Sequence, residues 1–559
     1  MPTIQFRKSR LLKLLNISLS DEELEDILFN VKVEASKLPE DEDLWEAEIT
    51  HDRLDMLMSE GIARTLKGVL ELELGMPKYN SLGVTVKLNV NPIVSKVRPY
   101  IAVATVHNYN MDYYALEEII QIQEKLHMTI GRGRRKVAIG IHDLDKVPSR
   151  NLVYTAKPPE EVKFQPLDEN REMTGVEILK NTSKGLEYGY IIEPTGLCPL
   201  FTSDDGTVLS MPPIINSELS KITLETKNIL IDVTGTDLKA VTNTINILTT
   251  TLAENADGIG LGLIMYSDGD KKYYPILEPK VIEVNLNFIN KSLGLHLTVE
   301  EVEKHLKRMR FNVERYDREA FKVYIPSYRI DILHPIDIVE DIAISIGYNT
   351  IEPRVPKTYT VGRELPKNRI VKLIRDLMVG LGFQEILTFM LSSLERQTKT
   401  CKWGPQPVII ENPISPSYNV IRSWLLPNIL DFLSINQYSE HPIKVFEIGD
   451  VIVRDEKTPE KSSVKTKVAG AILCYTVSYE DVQSIVYSLL RNLGLSFHVK
   501  PYNHPTFIEG RAVTLIIEGE ERGFMGEIHP EILERFKIEY PVAAFEIDIT
   551  DLWASEGLR

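Results

Sequence analysis

The sequence has few cysteines and no long, uncharged apolar run. Cys198, Cys401 and Cys474 are the only cysteines among 559 residues, and they lie too far apart for a zinc-ligand motif or a disulfide framework. The longest uncharged runs, such as residues 240–253, are rich in threonine and too short to cross a bilayer. These absences predict a cytoplasmic chain with no membrane contact, whose cysteines are small core residues.

An excess of positive charge is also lacking. The chain carries 64 lysines and arginines against 80 acidic residues, a net charge of −16, which argues against extensive wrapping by nucleic acid. Two local basic runs lie at residues 132–136 and 304–310. Each is typical of either a solvated face or a set of phosphate contacts, and charge alone does not decide between the two.

The chain does have enough apolar residues to form several hydrophobic cores. Hydrophobic residues make up 43% of the sequence and charged residues 26%, which is typical of a globular protein, and the length favours several domains. Helical and strand-like patterns alternate, so the fold class is multidomain α+β. The expected divisions are residues 1–81, 82–270, 275–352, a linker at 353–365, and a final domain at 366–559.

Capping residues predict where several helices begin. Ser20 precedes an amphipathic helix, and Thr298 with Glu301 forms the T-x-x-E pattern of a capping box. Pro335 is typical of a first helical position and predicts another helix from that residue. The D-V-T-G stretch that begins at Asp232 is instead interpreted as extended chain leading into a turn.

Four acids lie close together in the apolar segment 328–349. In a helix from Pro335, Asp337, Glu340 and Asp341 share one face. Asp331 lies earlier, across the turn that joins the preceding strand to that helix. Two explanations remain open at this point. The acids form a solvated face near a helix N-terminus, or their oxygens converge on a hard cation such as Mg²⁺.

Ile344 interrupts the acidic face. An isoleucine is unusual on a face that is wholly exposed to water. We therefore expect another apolar surface, such as that of a partner chain, to cover it.

Eight sequence motifs, taken in order, resemble those of the beta subunits of phenylalanine–tRNA ligase, in the shorter archaeal and eukaryotic form. The resemblance extends over essentially the whole chain. The motifs are HDRLDMLMSEGIARTLKG (51–68), RKVAIGIHDLDK (135–146), LSMPPIINSE (209–218), DVTGTD (232–237), YRIDILHPIDIVEDIAISIGYN (328–349), KVFEIGDVI (444–452), HPTFIEGRA (504–512) and GEIHPEIL (526–533).

This resemblance implies an α2β2 heterotetramer that charges tRNA(Phe), with the ATP-using synthetic site on the alpha subunit. It implies a B3/B4-type editing domain, a helix-turn-helix-like B5 module, and a class II synthetase-like antiparallel sheet domain without catalytic motifs. It also implies that Asp331, Asp337, Glu340 and Asp341 bind Mg²⁺ at a site shared with the alpha subunit.

The residues of the final domain agree with a catalytically silent role. A working class II site needs arginines that hold the ATP phosphates and the adenine. No Arg-x-Glu directly follows residues 418–430, and no glycine-rich strand followed by arginine precedes residue 559. The domain at 366–559 is therefore interpreted as a scaffold and a subunit interface.

An editing site has a physical reason to exist in such an enzyme. A pocket that holds a phenyl ring discriminates weakly against tyrosine, so a second, hydrolytic site is needed. The resemblance places this pocket near Leu200, Ser210, Asp232 and Thr234, although Asp232 and Thr234 are equally typical of turn capping. His142 is interpreted as structural because no nucleophilic serine is evident beside it. We expect hydrolysis by a positioned water, aided by the tRNA ribose hydroxyls.

Two other classes of function remain as alternatives. The first is a Mg²⁺-dependent hydrolase or phosphotransferase built on the acidic cluster, which requires phosphate-binding cations nearby. The second is a purely structural partner, which requires residues 82–270 to be inert. Co-purification of an alpha-type chain separates the ligase subunit from the first alternative, and deacylation of mischarged tRNA separates it from the second.

Overall fold

The chain forms two compact units in the computed structural model, residues 1–355 and residues 356–559. Both contain helices packed on mainly antiparallel sheets, which confirms the prediction of a multidomain α+β chain. Part of the expected linker 353–365 lies outside the described residues, as do Cys401 and the end of the expected final domain. The structure describes residues 1–355, 360–400 and 405–552.

The first unit begins with a three-stranded antiparallel sheet and three helices. The capping box predicted at Ser20 is confirmed, because Glu23 N–H donates to Ser20 Oγ at 3.1 Å and Ser20 N–H donates to Glu23 Oε2 at 2.8 Å. The strand order is β1-β3-β2. The elements are β1 (Thr3–Arg7), α1 (Lys8–Leu15), α2 (Asp21–Asn30), β2 (Val33–Lys37), β3 (Leu44–Ile49) and α3 (Ser59–Val69).

A ten-stranded sheet forms the centre of the first unit. The segment between β7 and β10 forms a small two-stranded sheet of β8 and β9. Four helices belong to the same region, namely α4 (Tyr113–Met128), α5 (Gly175–Asn181), α6 (Ser183–Tyr188) and α7 (Leu238–Ala253). The strands are β4 (Ser81–Val90), β5 (Tyr100–His107), β6 (Val137–Asp143), β7 (Asn151–Lys157), β8 (Lys163–Phe164), β9 (Met173–Thr174), β10 (Cys198–Ser203), β11 (Val208–Met211), β12 (Ile215–Asn216), β13 (Ile229–Gly235), β14 (Gly258–Tyr266) and β15 (Lys271–Tyr274).

The strand order of this sheet brings distant segments together. The order is β12-β11-β10-β7-β4-β14-β5-β13-β6, with β15 paired to β14. Strand β13 therefore lies between β5 and β6, and all of its residues are buried. Asp232 and Thr234 consequently lie within a paired strand and not beside a turn. The apolar, β-branched run around them, with a partner strand on each side, outweighs the turn preference of Asp and Gly.

The last part of the first unit is a compact α+β module with the strand order β16-β18-β17. The capping box of Thr298 and Glu301 and the helix start at Pro335 are both confirmed. Ile344 is buried by this chain itself, so no partner is needed to cover it. The elements are β16 (Lys280–Asn285), α8 (Leu286–Leu293), α9 (Val299–Arg308), β17 (Asn312–Asp317), β18 (Ala320–Ile325) and α10 (Pro335–Ile346).

The second unit is built on a seven-stranded sheet and a small three-stranded sheet. The strands are β19 (Gln384–Glu385), β20 (Leu391–Ser392), β21 (Val408–Ile409), β22 (Val420–Ile421), β23 (Ile443–Arg454), β24 (Ser462–Leu473), β25 (Phe497–Pro501), β26 (Phe507–Ile517), β27 (Glu520–Ile528) and β28 (Val542–Asp548). The large sheet has the order β19-β23-β24-β28-β27-β26-β25, and its pairs are antiparallel except β19 with β23. The helices are α11 (Pro366–Gly380), α12 (Leu426–Asn436), α13 (Tyr479–Asn492) and α14 (Pro530–Arg535).

Within residues 1–355, 360–400 and 405–552, no helix combines the length and the apolar character needed to cross a bilayer.

Candidate functional site

A cavity of about 460 Å³ lies against the ten-stranded sheet of the first unit. Its walls come from helix α4, from strands β6, β11, β12 and β13, and from segments 167–169, 182–184 and 220–222. This volume falls within the range of small-molecule pockets in proteins. The lining contains apolar, hydroxyl and charged side chains, so the cavity suits a ligand that has both an apolar body and polar groups.

Strands β6 and β13 contribute adjacent residues to the cavity wall. They pair antiparallel, with Gly140 directly opposite Asp232, and all of their residues are buried. A Cβ on Gly140 would lie 2.0 Å from Oδ1 of Asp232 and 2.7 Å from Nε2 of His142. The missing side chain of Gly140 therefore leaves the space in which the carboxylate and the imidazole meet.

Three side chains form a hydrogen-bonded chain beside the cavity. Nε2 of His142 lies 2.8 Å from Oδ1 of Asp232, and Nδ1 of the same ring lies 2.8 Å from Oγ of Ser220. His142 is fully buried, whereas Asp232 and Ser220 both line the cavity. The second carboxylate oxygen of Asp232 has no hydrogen bond to the described part of the chain, so it is available to a ligand.

Ser210 of strand β11 also lines the cavity, as the resemblance led us to expect for a pocket residue. Its hydroxyl is buried and has no hydrogen-bond partner among the residues that the structure describes. A buried polar group without a partner costs about 1–3 kcal/mol. A ligand that places a polar atom beside Ser210 recovers this free energy.

Leu200 and Thr234 lie outside the lining of the cavity, although the resemblance placed both in the pocket. Thr234 instead holds Arg98, which donates from Nε to Oγ1 and from Nη2 to the carbonyl oxygen of Thr234, each at 3.0 Å. Leu200 belongs to a small buried cluster that includes Cys198 and Met211. Of the four expected pocket residues, the structure thus brings Ser210 and Asp232 to the cavity and places the other two behind its walls.

Charged side chains border the cavity on the side of helix α4. Arg134 donates from Nη1 to the carbonyl oxygen of Ile214 at 3.0 Å and from Nη2 to Oε1 of Glu124 at 2.7 Å. Burial acts to raise the pKa of Glu124, but the hydrogen bond with His127 and the charge of Arg134 outweigh it and bring the pKa to about 2. Arg134 therefore helps to shape the cavity. It is already bonded within the chain, unlike an arginine that is free to bind a phosphate.

The four acids of the second predicted site lie around a separate, small pocket of about 90 Å³. Asp331 and Asp341 share Arg329, whose Nη2 lies 2.7 Å from Oδ2 of each. Both the arginine and Asp341 are buried. Two of the acids are therefore already paired with one cation of the chain.

The other two acids are also engaged within the chain. Asp337 accepts hydrogen bonds from the N–H groups of Leu333 and His334, both at 2.8 Å, and so caps helix α10. Glu340 accepts from Nζ of Lys32 at 2.9 Å. The sequence predicted that these acids lie together, and the structure supplies a partner for each.

While Lys32 is paired with Glu340, the pocket does not accommodate a metal ion. Carboxylate oxygens are the right kind of ligand for Mg²⁺, but Lys32, Arg53 and Arg329 line the same pocket. No group of three or more acidic, histidine or cysteine side chains in the described residues is arranged to hold a metal. Burial raises the pKa of Asp341 to about 6 although Arg329 and Arg53 oppose it, so this carboxyl takes up a proton at a higher pH than an exposed aspartate does.

Arg422 in the second unit is also paired within the chain. It lies in the segment 418–430, donates from Nη1 to Oε1 of Glu447 at 2.6 Å and from Nε to the carbonyl oxygen of Asp450 at 2.9 Å, and is buried. An arginine that binds a nucleotide phosphate needs donors free of other anions. Arg422 does not meet this requirement.

Sequence reasoning missed the link between His142 and Ser220. These residues are 78 positions apart, and neither stands in a local motif for nucleophilic catalysis. The pairing of β6 with β13 brings His142 to Asp232, and the segment after β12 brings Ser220 to the far side of the ring. No local signal indicates this arrangement, because it depends on strand order.

Three family models match the chain in succession. The model described as "B3/4 domain" matches residues 110–252, which contain every residue that lines the large cavity. The model described as "tRNA synthetase B5 domain" matches residues 282–348, which contain the four acids. The model described as "Phenylalanyl tRNA synthetase beta chain CLM domain" matches residues 351–549.

Relatives and a solved structure extend this similarity over the whole chain. The chain is 42% identical to the phenylalanine–tRNA ligase beta subunit of Saccharolobus solfataricus over 553 residues, 99% of each chain. It is 42% identical to that of Sulfurisphaera tokodaii over 552 residues, again 99% of each. The crystal structure of an N-terminal fragment of the phenylalanyl-tRNA synthetase beta subunit from Pyrococcus horikoshii is 38% identical, covers 62% of this chain and 99% of its own, and superposes with a TM-score of 0.59.

These similarities confirm the resemblance that the sequence motifs indicated. Identity at this level over nearly the full length of both chains, together with three domain families in the same chain, does not arise from a shared fold alone. The chain therefore belongs to the family of phenylalanine–tRNA ligase beta subunits.

Proposed function

We propose that this chain is the editing and assembly subunit of a cytoplasmic phenylalanine–tRNA ligase, and that its large cavity hydrolyses tRNA(Phe) that carries tyrosine. One observation supports this proposal above the others. Among the described residues, the Ser210 hydroxyl has no partner and one oxygen of the Asp232 carboxylate is free, and both groups belong to one cavity whose walls are partly apolar. Such a cavity suits an aromatic ring that ends in a hydroxyl.

The chemistry of the ligase explains why this activity is needed. A synthetic pocket shaped for phenylalanine rejects tyrosine weakly, because an apolar pocket discriminates against an added hydroxyl by only about 100-fold. A site that hydrogen-bonds the hydroxyl discriminates far better, because phenylalanine leaves its polar groups unpaired. Ser210 and Asp232 supply such groups, and a water positioned against the aminoacyl ester, aided by the tRNA ribose hydroxyls, completes the hydrolysis.

The experiment is to assemble the chain with an alpha subunit and to measure two activities, formation of Phe-tRNA(Phe) and hydrolysis of preformed Tyr-tRNA(Phe). Ser210→Ala and Asp232→Ala each remove a hydrogen-bond partner of the substrate. Hydrolysis is expected to fall about 5- to 150-fold, equivalent to about 1–3 kcal/mol. Charging with phenylalanine is expected to stay at the level of the unmodified complex.

Thr234→Ala serves as the matched comparison, because Thr234 lies on the same strand but holds Arg98 outside the cavity lining. Its effect on hydrolysis is expected to be smaller than that of Asp232→Ala. Unchanged hydrolysis in both the Ser210 and the Asp232 variants would place the editing site elsewhere. Equal loss of charging and hydrolysis would show that the domain had merely unfolded.

We infer further that the synthetic site and its ATP belong to a separate alpha subunit in an α2β2 complex, and that residues 366–559 form a silent, class II synthetase-like domain. The buried pairing of Arg422 with Glu447 supports this inference, because that arginine is not free for a phosphate. Exposed apolar side chains, among them Leu387, Phe389 and Ile414, offer a contact surface for another subunit. Pyrophosphate exchange by this chain without an alpha subunit would contradict the inference.

The predicted magnesium site is retained as a proposal with one added condition. We propose that Mg²⁺ binds at Asp331, Asp337, Glu340 and Asp341 only when Lys32 leaves Glu340. The Lys32–Glu340 pair is partly exposed, with 28% and 48% of the two side chains accessible, so it is weak and replaceable. Calorimetric titration with Mg²⁺ should therefore show tighter binding to Lys32→Ala than to the unmodified chain. Absence of binding to both would leave the four acids with a purely structural role.

A further inference from the structure

We propose that Ser220, His142 and Asp232 form a proton relay for ester hydrolysis in the large cavity. In this relay Ser220 contacts the attacking water, His142 is the positioning residue that stores the proton, and Asp232 stabilises the charged ring. This inference rests on the proposed editing function. It assigns to His142 and Ser220 a role that neither the motifs nor the domain families assign.

The geometry of the ring carries the inference. Both nitrogens of His142 are occupied, by Oδ1 of Asp232 and Oγ of Ser220, each at 2.8 Å. The ring is fully buried and packs near Phe201, with ring centroids 5.9 Å apart. Gly140 leaves the space for it. An imidazole held on both sides can take up a proton at one nitrogen while the other keeps its hydrogen bond.

The chemical environment favours one direction of transfer. Asp232 is the acid in contact with the ring, so it orients the N–H of Nε2 toward itself and leaves Nδ1 as the acceptor for the Ser220 hydroxyl. The neighbouring Asp143 points elsewhere, since its Oδ2 accepts from Oγ1 of Thr226 at 2.8 Å. Arg98 is near enough to Asp232 for the two charges to interact.

The proposed reaction balances without any other reactant. As water attacks the carbonyl carbon of the aminoacyl ester, its proton passes to Oγ of Ser220, and the hydroxyl proton of Ser220 passes to Nδ1 of His142. Asp232 remains ionised and stabilises the imidazolium. When the bond between the carbonyl carbon and the ribose oxygen breaks, the same path returns the proton to that oxygen. The products are the free amino acid and tRNA with its ribose hydroxyl restored.

The relay is testable in the assembled complex by hydrolysis of Tyr-tRNA(Phe) at a series of pH values. His142→Gln and Ser220→Ala are each expected to lower kcat by about 100-fold or more, the usual contribution of general acid–base catalysis, with little change in KM. The kcat of the unmodified complex is expected to fall at low pH as the relay becomes protonated. In His142→Gln this dependence should flatten, which a merely structural histidine would not cause.

Two buried residues of the same domain provide matched controls. His127 holds the N–H of Ile139 through Nε2 at 2.8 Å, and Ser203 is buried outside the lining of the cavity. His127→Gln and Ser203→Ala are expected to keep the pH dependence of the unmodified complex even where they lower its stability. Thermal unfolding and Phe-tRNA formation show whether each variant is folded.

The possible outcomes separate the relay from the function on which it rests. If the unmodified complex does not hydrolyse Tyr-tRNA(Phe), the editing function itself is wrong. If the unmodified complex is active and a folded His142→Gln variant keeps its rate and pH dependence, the relay alone is wrong. Trapping of an aminoacyl ester on Ser220, detected by mass spectrometry, would also overturn the relay, because the serine would then be the nucleophile.

Discussion

The two pockets of the first unit use similar residues in opposite ways. Within the part of the chain that the structure describes, the large cavity contains a buried hydroxyl without a partner at Ser210 and a free carboxylate oxygen at Asp232. In the small acidic pocket, Asp331 and Asp341 share Arg329, and Glu340 is paired with Lys32. Polar groups that have hydrogen-bond partners within the fold stabilise it, whereas buried polar groups without a partner are candidates to bind a ligand.

This difference shows why a cluster of charges is a weak guide to function. The acidic segment has the more conspicuous sequence, with four carboxylates among apolar residues, yet each of these acids already has a partner within the chain. The polar residues of the large cavity do not form a conspicuous cluster in the sequence, because they come from strands and segments that are far apart in the chain. The number of charges matters less than whether the fold already pairs them.

The largest expected effect is on stability, from Arg329→Leu in the acidic pocket. This change leaves the buried carboxylate of Asp341 and its neighbour Asp331 without their shared cation, which typically costs about 3–5 kcal/mol. In chemical denaturation, the first unit should unfold at a lower denaturant concentration than it does in the unmodified chain. Arg315→Leu is the control, because Arg315 belongs to the same module but its side chain is 42% exposed. A similar loss in both variants would contradict the comparison.

A change at Gly140 should produce the next largest effect, this time on catalysis. The Cβ of Gly140→Ala would displace both Asp232 and His142, so hydrolysis of Tyr-tRNA(Phe) should fall by more than about 100-fold, or about 3 kcal/mol. Gly189→Ala is the control, since its Cβ would meet Leu179 at an ordinary 3.5 Å. If Gly140→Ala hydrolyses Tyr-tRNA(Phe) at the full rate, the contact between the Asp232 carboxylate and the His142 imidazole is not needed for hydrolysis.

The pH dependence of stability should reveal the buried acid of the small pocket. Because the pKa of Asp341 is raised to about 6, its protonated form stabilises the folded state at low pH, and this contribution is lost as pH rises through about 6. Asp341→Asn should therefore gain stability relative to the unmodified chain between pH 4 and pH 7, by up to about 3 kcal/mol. Parallel unfolding curves at all pH values would show that Asp341 titrates normally.

The smallest effect is expected for the stability of Ser210→Ala. Removing a hydroxyl that has no partner should change the free energy of unfolding by less than about 1 kcal/mol, or even raise it. Ser59→Ala is the contrast, because the buried Oγ of Ser59 lies 2.8 Å from Oε1 of Glu118, and its loss leaves that carboxylate less well satisfied. Equal destabilisation by both changes would mean that Ser210 has a partner within the fold.

Local sequence patterns predicted the elements well where the signal is itself local. The capping residues Ser20 and Thr298 and the proline at 335 each mark a helix start that the structure contains. A side chain that caps a helix acts within three residues, so the sequence contains the whole interaction. The motifs likewise sufficed to identify the family, since 42% identity preserves long stretches in order.

The candidate sites depended on contacts that the sequence does not contain. The resemblance named Asp232 and Ser210 as pocket residues, and both line the cavity, but it gave no reason to connect His142 with Ser220, 78 residues away. It also could not show that Thr234 is used by Arg98. Such contacts are set by the order of strands in a sheet, which residue spacing does not reveal.

The sequence by itself determined the class of the chain, its family, its principal helix starts and the presence of four neighbouring acids. The tertiary structure alone decided which polar groups are satisfied. Arg329 reaches the acids from a loop and Lys32 from the segment between α2 and β2, and the pairing of β6 with β13 joins Asp232 to His142. The physical reason is that hydrogen bonding and burial depend on separation in space, and folding brings together residues that are distant along the chain.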